Sequence, residues 1–159
     1  MYYILIITKM GSYSSTEMTA LKAKYLQRSL TKYDLMNLSP HDLNELNEFL
    51  NMYGLSKEKC AVIIIACKIV CNNEDFTMRL NDDLNTCTEI VYIKDTLNNY
   101  IYRLNYNYRY DHLAEQGYDE YTLQENSMMD PYIFTHPSQI KMYFDLKKSN
   151  CKCHCQKQS

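Results

Sequence analysis

From Tyr100 to Tyr110 the chain alternates without a break. Tyr100, Tyr102, Leu104, Tyr106, Tyr108 and Tyr110 share one parity, and Ile101, Arg103, Asn105, Asn107 and Arg109 the other. In a strand, successive side chains point to opposite faces, whereas a helix would scatter these tyrosines around its circumference. A period of two sustained this long predicts one long strand with an aromatic face. A strand needs partners, and its apolar face needs a cover. The chain must therefore supply further strands and something to pack on the tyrosines.

The preceding residues offer both. Phe76, Met78 and Leu80 alternate, Asn81-Asp82-Asp83 is turn-like, and Thr88, Ile90 and Tyr92 alternate with Glu89, Val91 and Ile93. Together with the tyrosine strand these predict a three-stranded antiparallel meander. Upstream, Ser14-Ser15-Thr16-Glu17 has the form of a capping box and opens a helix running to about Leu30. Ser39-Pro40-His41-Asp42 starts a second helix, whose stripe of Leu43, Leu46, Phe49, Leu50 and Tyr53 is stopped by Gly54. Ser56 caps a third, in which nearly every side chain from Cys60 to Cys71 is apolar; length and the Ser cap favour a buried helix, and a long buried strand is the alternative because Val and Ile are enriched. Tyr2 to Thr8 reads as an N-terminal strand, Asp111 to Gly117 as a helical turn, and His136-Pro137-Ser138 as the start of a C-terminal helix carrying Ile140, Tyr143, Phe144 and Lys147. The fold class expected is α+β, in a single domain over 1–148, followed by a flexible Cys/Lys-rich tail over 149–159. An all-α alternative also exists, because Ile90, Leu97, Ile101 and Leu104 fall near one helical face.

At 159 residues and 18.9 kDa the chain fits one core. Its 46% hydrophobic and 23% charged content is that of an ordinary globular protein. Within those classes it is rich in Tyr and Asn and poor in Gly and Pro, with 16 Tyr against 3 Gly. Tyr, Asn, Lys and Ile have AT-rich codons, so the bias points to an AT-rich genome such as that of certain large DNA viruses, protozoa or low-GC bacteria. The apolar run Ile4 to Ile7 lacks the features of a secretory signal, and Cys60 to Cys71 is too short to span a bilayer. The compartment expected is the cytoplasm, with the seven cysteines reduced or metal-bound. The formal charge is −2, and after Asp145 come Lys147, Lys148, Lys152 and Lys157 without an acidic residue, which leaves −6 on the rest (13 basic against 19 acidic). An acidic body argues against a duplex-DNA binder.

Three groups of residues could carry chemistry. Cys151, Cys153, His154 and Cys155 are soft-metal ligands, and zinc is the ion they would suit. Adjacent Cys153, His154 and Cys155 do not easily turn toward one ion, and a solvated tail without a role is the plainer reading. The same Cys151, Cys153 and Cys155, beside lysines, are S-acylation targets, so a membrane would be met only through the tail. Cys155 is fifth from the end, which excludes a prenylation box, and Met10-Gly11 is internal, which disables a myristoylation signal.

Tyr100, Tyr102, Arg103, Tyr106, Tyr108, Arg109 and Tyr110 form the second group, an interaction surface for a protein partner. Single-stranded RNA is the alternative, with bases on Tyr102 and Tyr106 and phosphates on Arg103 and Arg109. The arginines have the opposite parity to the tyrosines, which favours a tyrosine face packed under helices.

The third group is catalytic, and nothing selects its members. Cys60, Cys67 and Cys71 recur at helical spacing, Cys87 has distant His112 and His136 as bases, and Asp111-His112 are neighbours. With three glycines there is no phosphate-cradling loop. The function expected is a small non-enzymatic interaction or adaptor module, such as a virus-encoded host-interaction factor, with no cofactor unless the tail holds zinc.

Overall fold

The computed structural model describes residues 14–36, 40–125 and 128–158, with side chains at all of these except 36, 40–43 and 149–158. The strand read at Tyr2 to Thr8 lies outside the described residues. The tyrosine alternation forms β4, Tyr100–Asp111, inside an antiparallel sheet. Its partners are β1 (Leu30–Thr31), β2 (Phe76–Leu80), β3 (Glu89–Asp95), β5 (Gln116–Gln124) and β6 (Tyr132–Phe134). The order across the sheet is β1-β2-β3-β4-β5-β6.

This corrects the three-stranded meander and removes the all-α alternative. The six strands include three that carry no readable period. β1 has two residues and β6 three, too few for any alternation. β5, QGYDEYTLQ, is polar over its first half and places only Tyr121 and Leu123 among the buried apolar side chains. The turn expected over Asp111 to Gly117 is instead a hairpin loop. Asp111 Oδ1 accepts from the N–H groups of Leu113 at 3.0 Å and Ala114 at 3.3 Å, and Glu115 takes a left-handed conformation at φ 52°.

Five helices are described. α1 (Ser15–Tyr25) starts where Ser14 Oγ accepts from the Glu17 N–H at 3.1 Å, the expected capping geometry. It ends short of Leu30, and a further helix follows, α2 (Lys32–Met36). Asp34 there accepts from the Thr31 N–H at 2.8 Å and its hydroxyl at 3.0 Å. α3 (Pro40–Met52) and α4 (Lys57–Cys71) follow, the latter capped by Ser56 Oγ accepting from the Lys59 N–H at 3.2 Å. α5, Ser138–Gln158, continues as helix over 149–158, where the composition reads as a flexible tail.

The chain packs in two layers. α4 lies against β2, β3 and β4 and buries Val62, Ile63, Ala66, Ile69 and Val70. The sheet answers with the side chains of one face: Met78 and Leu80, Val91 and Ile93, Tyr102 and Leu104, Tyr121 and Leu123, all buried. Cross-strand register keeps these on the same side, since Met78 opposes Ile93, Ile93 opposes Tyr102, and Leu104 opposes Leu123. Each such side chain stabilises the fold by about 1.5–3 kcal/mol. α3 contributes Leu46, Phe49 and Leu50 to the same core, and α5 contributes Ile140 and Phe144. No described helix covers the second face of the sheet, which carries Thr77, Arg79, Tyr92, Lys94, Ile101 and Arg103.

Candidate functional site

β4 is longer than the helix layer that covers it, and this divides its side chains. Near its start Tyr102 is 4% exposed, with its ring 4.9 Å from that of Phe144 in an edge-on contact. Tyr100 packs beside Tyr102 at 5.2 Å. Lys147 Nζ lies 5.0 Å from the Tyr102 ring centroid and 5.9 Å from that of Tyr100, and pairs with Glu125 at 2.9 Å. Further along, the Tyr106 hydroxyl donates to Asp119 Oδ1 at 2.6 Å over a ring contact with Tyr121 at 5.3 Å. Burial, and then the Asp119 carboxylate, raises the Tyr106 phenol well above its usual range. These three tyrosines therefore belong to the packing between sheet and helices.

Beyond Tyr106 the hairpin leaves the helix layer. Tyr108 is 67% exposed, Tyr110 52%, Tyr118 48%, and Leu113 at the tip is completely exposed. The arm nonetheless has a defined form. β4 and β5 stay in register from Arg103 opposite Gln124 out to Asp111 opposite Gln116. The Tyr108 ring lies over Gly117: a Cβ there would fall 1.6 Å from the Tyr108 hydroxyl oxygen, so only glycine admits the ring in this seat. Tyr110 meets His112 edge-on at 5.0 Å, and Arg109 pairs with Glu120 at 3.3 Å. Tyr118, paired with Arg109, is on the opposite face of the arm from Tyr108 and Tyr110, so both faces show aromatic surface.

Arg103 stands apart from these. It lies on the uncovered face, in one cross-strand row with Tyr92 and Arg79. The Tyr92 hydroxyl donates to Glu89 Oε2 at 2.6 Å and accepts from Asn81 Nδ2 at 3.4 Å, which holds the ring along its own strand. The Glu89 bond, with burial second, pushes the Tyr92 phenol up to about 12. Arg79, Tyr92, Lys94, Ile101 and Arg103 line a concavity of about 420 Å³. Of these the sequence singled out Arg103 alone. Arg79 and Lys94 become its neighbours only through pairing register, a signal that alternation within single strands does not contain.

The remaining candidates do not converge. Cys67 is buried, and burial pushes its thiol up to about 12, while burial also raises Cys60 and Cys71. A second concavity, of about 520 Å³, is lined by Leu35, Ile64, Cys67 and Cys71 together with Lys68 and Lys141. Asp111 spends Oδ1 on the loop backbone rather than on His112. His136 Nδ1 is 2.7 Å from Ser138 Oγ at the start of α5. The backbone of Cys151, Cys153, His154 and Cys155 is in the last turns of α5, and their side chains lie outside those described. Among the described residues no group of three or more His, Cys, Asp or Glu is placed to hold a metal, and no helix is long and apolar enough to cross a membrane. Comparison with protein-family models, with curated proteins and with solved structures finds no match.

Proposed function

We propose that this chain is a non-enzymatic protein-interaction module whose contact surface is the outer half of the β4–β5 hairpin. The observation that carries the reading is the exposure of Tyr108, Tyr110, Leu113 and Tyr118 on an arm that no described helix covers. Large apolar side chains grouped on a free surface mark contact sites more often than scattered ones do. Tyrosine suits such a surface because it gives a large, rigid contact area at low cost in conformational entropy. The paired register, the Asp111 loop and the Tyr108–Gly117 seat shape the arm before any partner arrives, which lowers the ordering cost of association.

A photo-crosslinking side chain placed at Leu113 tests this in cells that produce the chain. Leu113 variants are expected to capture one discrete protein, and capture is lost when Tyr108→Ser and Tyr110→Ser are added. The control carries the crosslinker at exposed Lys22 on α1. Indistinguishable adducts from positions 113 and 22 would sink the reading.

A further inference from the structure

The uncovered face of the sheet carries an unusual charge arrangement. The chain has four arginines, Arg28, Arg79, Arg103 and Arg109. Arg28 pairs with Asp34 at 2.7 Å and Arg109 with Glu120 at 3.3 Å. Arg79 and Arg103, two strands apart on either side of Tyr92, have no carboxylate within ion-pair distance among the described residues, and neither does Lys94. Glu89 is on the same face and bonds to the Tyr92 hydroxyl. Three cations without a carboxylate partner among the described residues thus share one face over adjacent strands, a concentration of positive charge suited to an anion. In a molecule with more acidic than basic side chains, such a cluster is not the local expression of a basic surface.

We propose that this concavity binds a nucleotide, with its phosphate held by Arg79, Lys94 and Arg103 and its base against Tyr92 and Ile101. Arginine is the side chain best fitted to phosphate, because its planar guanidinium donates paired hydrogen bonds and stays charged. Arg79 and Arg103 approach from β2 and β4, whose backbones are roughly 10 Å apart at the spacing of strands in a sheet, and both line the same concavity as Tyr92. The ring of Tyr92, held at its hydroxyl, and the exposed side chain of Ile101 offer an apolar platform between the cations. A base and a phosphate thus meet complementary groups within one concavity. At about 420 Å³ the concavity falls within the usual range of small-ligand sites. The site is separate from the hairpin arm and does not depend on the function proposed for it.

The ligand is either a free mononucleotide or one unit of single-stranded RNA, and titration separates them. Inorganic phosphate, uridine monophosphate, adenosine monophosphate and a ten-nucleotide oligouridylate are titrated by calorimetry at low and moderate salt. Saturable mononucleotide binding, weakened by salt, supports the free-ligand source. Saturation by the oligonucleotide alone supports the strand. In either case Arg79→Ala and Arg103→Ala should each weaken binding about tenfold or more, as expected for loss of a charge-assisted contact. Tyr92→Ala should weaken nucleotide binding while leaving inorganic phosphate unchanged, and Lys22→Ala should change nothing. These side chains are on the uncovered face, and circular dichroism checks that each variant is folded. No saturable binding of any probe overturns the proposal, as does nucleotide binding that survives the Arg79→Ala, Arg103→Ala double substitution.

Discussion

Tyr25 shows how much a single hydroxyl decides here. It is buried against Phe49, at a centroid distance of 5.9 Å, and its hydroxyl donates to Glu45 Oε1 at 2.9 Å. Burial, followed by the Glu45 bond, pushes the phenol up to about 12. Tyr92 stands at about 12 because of Glu89, and Tyr106 is raised further by burial and Asp119. In the unfolded chain a tyrosine ionises near pH 10. Each raised phenol therefore contributes stability that is fully present below about pH 10 and is lost as the pH climbs through its folded value. The urea midpoint is expected to hold steady up to about pH 10 and to fall between about 10 and 12. Absorbance near 295 nm should show phenolates appearing at higher pH in the folded protein than in denaturant. Tyr25→Phe should flatten part of the fall, and an unchanged profile in that variant would contradict the assignment.

The two hairpins that flank β4 use the same local device. Asp95 Oδ1 accepts from the N–H groups of Leu97 at 3.1 Å and Asn98 at 3.3 Å, as Asp111 does from Leu113 and Ala114. Each loop closes with a left-handed residue, Asn99 at φ 54° and Glu115 at φ 52°. Asparagine tolerates that conformation better than glutamate, so the outer loop is the more strained. The inner loop joins strands whose side chains fill the core, whereas the outer one ends an arm that the core does not reach. Asp95→Ala is expected to lower global stability by about 1 kcal/mol. Asp111→Ala should speed amide exchange over 112–116 and leave the global midpoint unchanged. Equal losses of global stability in the two variants would show that the arm is not independent.

The same elements explain what the sequence discloses. α4 was legible because a Ser cap and a long apolar run are both local, and β4 because its alternation is uninterrupted. β5 was not, because its outer half has no buried face and so no reason to alternate apolar with polar side chains. β1 and β6 are shorter than any period. Of the tyrosines in the alternation, Tyr108 and Tyr110 are exposed, Tyr100 and Tyr106 are half-buried and Tyr102 is buried. Parity assigns a face, but how far the helix layer extends along that face is a tertiary fact. Arg103 stands without its neighbours in the sequence for a related reason: cross-strand register depends on turn geometry and on the facing strand as well as on the strand itself.

At the scale of the whole molecule, the order of strands in the sheet matches their order in the chain. From β2 to β6 every pairing joins consecutive strands, and the loops over 96–99 and 112–115 are short. The β1–β2 pairing differs, because Leu30 must find Met78 across α2, α3 and α4. Closing a longer loop costs more chain entropy, and local contacts form sooner than distant ones. The meander from β2 to β6 is therefore the expected early structure, and the docking of β1 a late event. Leu30 and Leu104 are both buried, and alanine at either position should cost about 2–5 kcal/mol. The Leu104→Ala loss should appear mainly as slower folding and the Leu30→Ala loss as faster unfolding. Stopped-flow measurements across a denaturant series decide it, and a Leu30→Ala chain that folds as slowly as Leu104→Ala would reverse the order. A sheet laid down in chain order thus sets a timetable as well as a shape: the face that carries Tyr92 and Arg103 assembles before the chain's first described strand has found its edge.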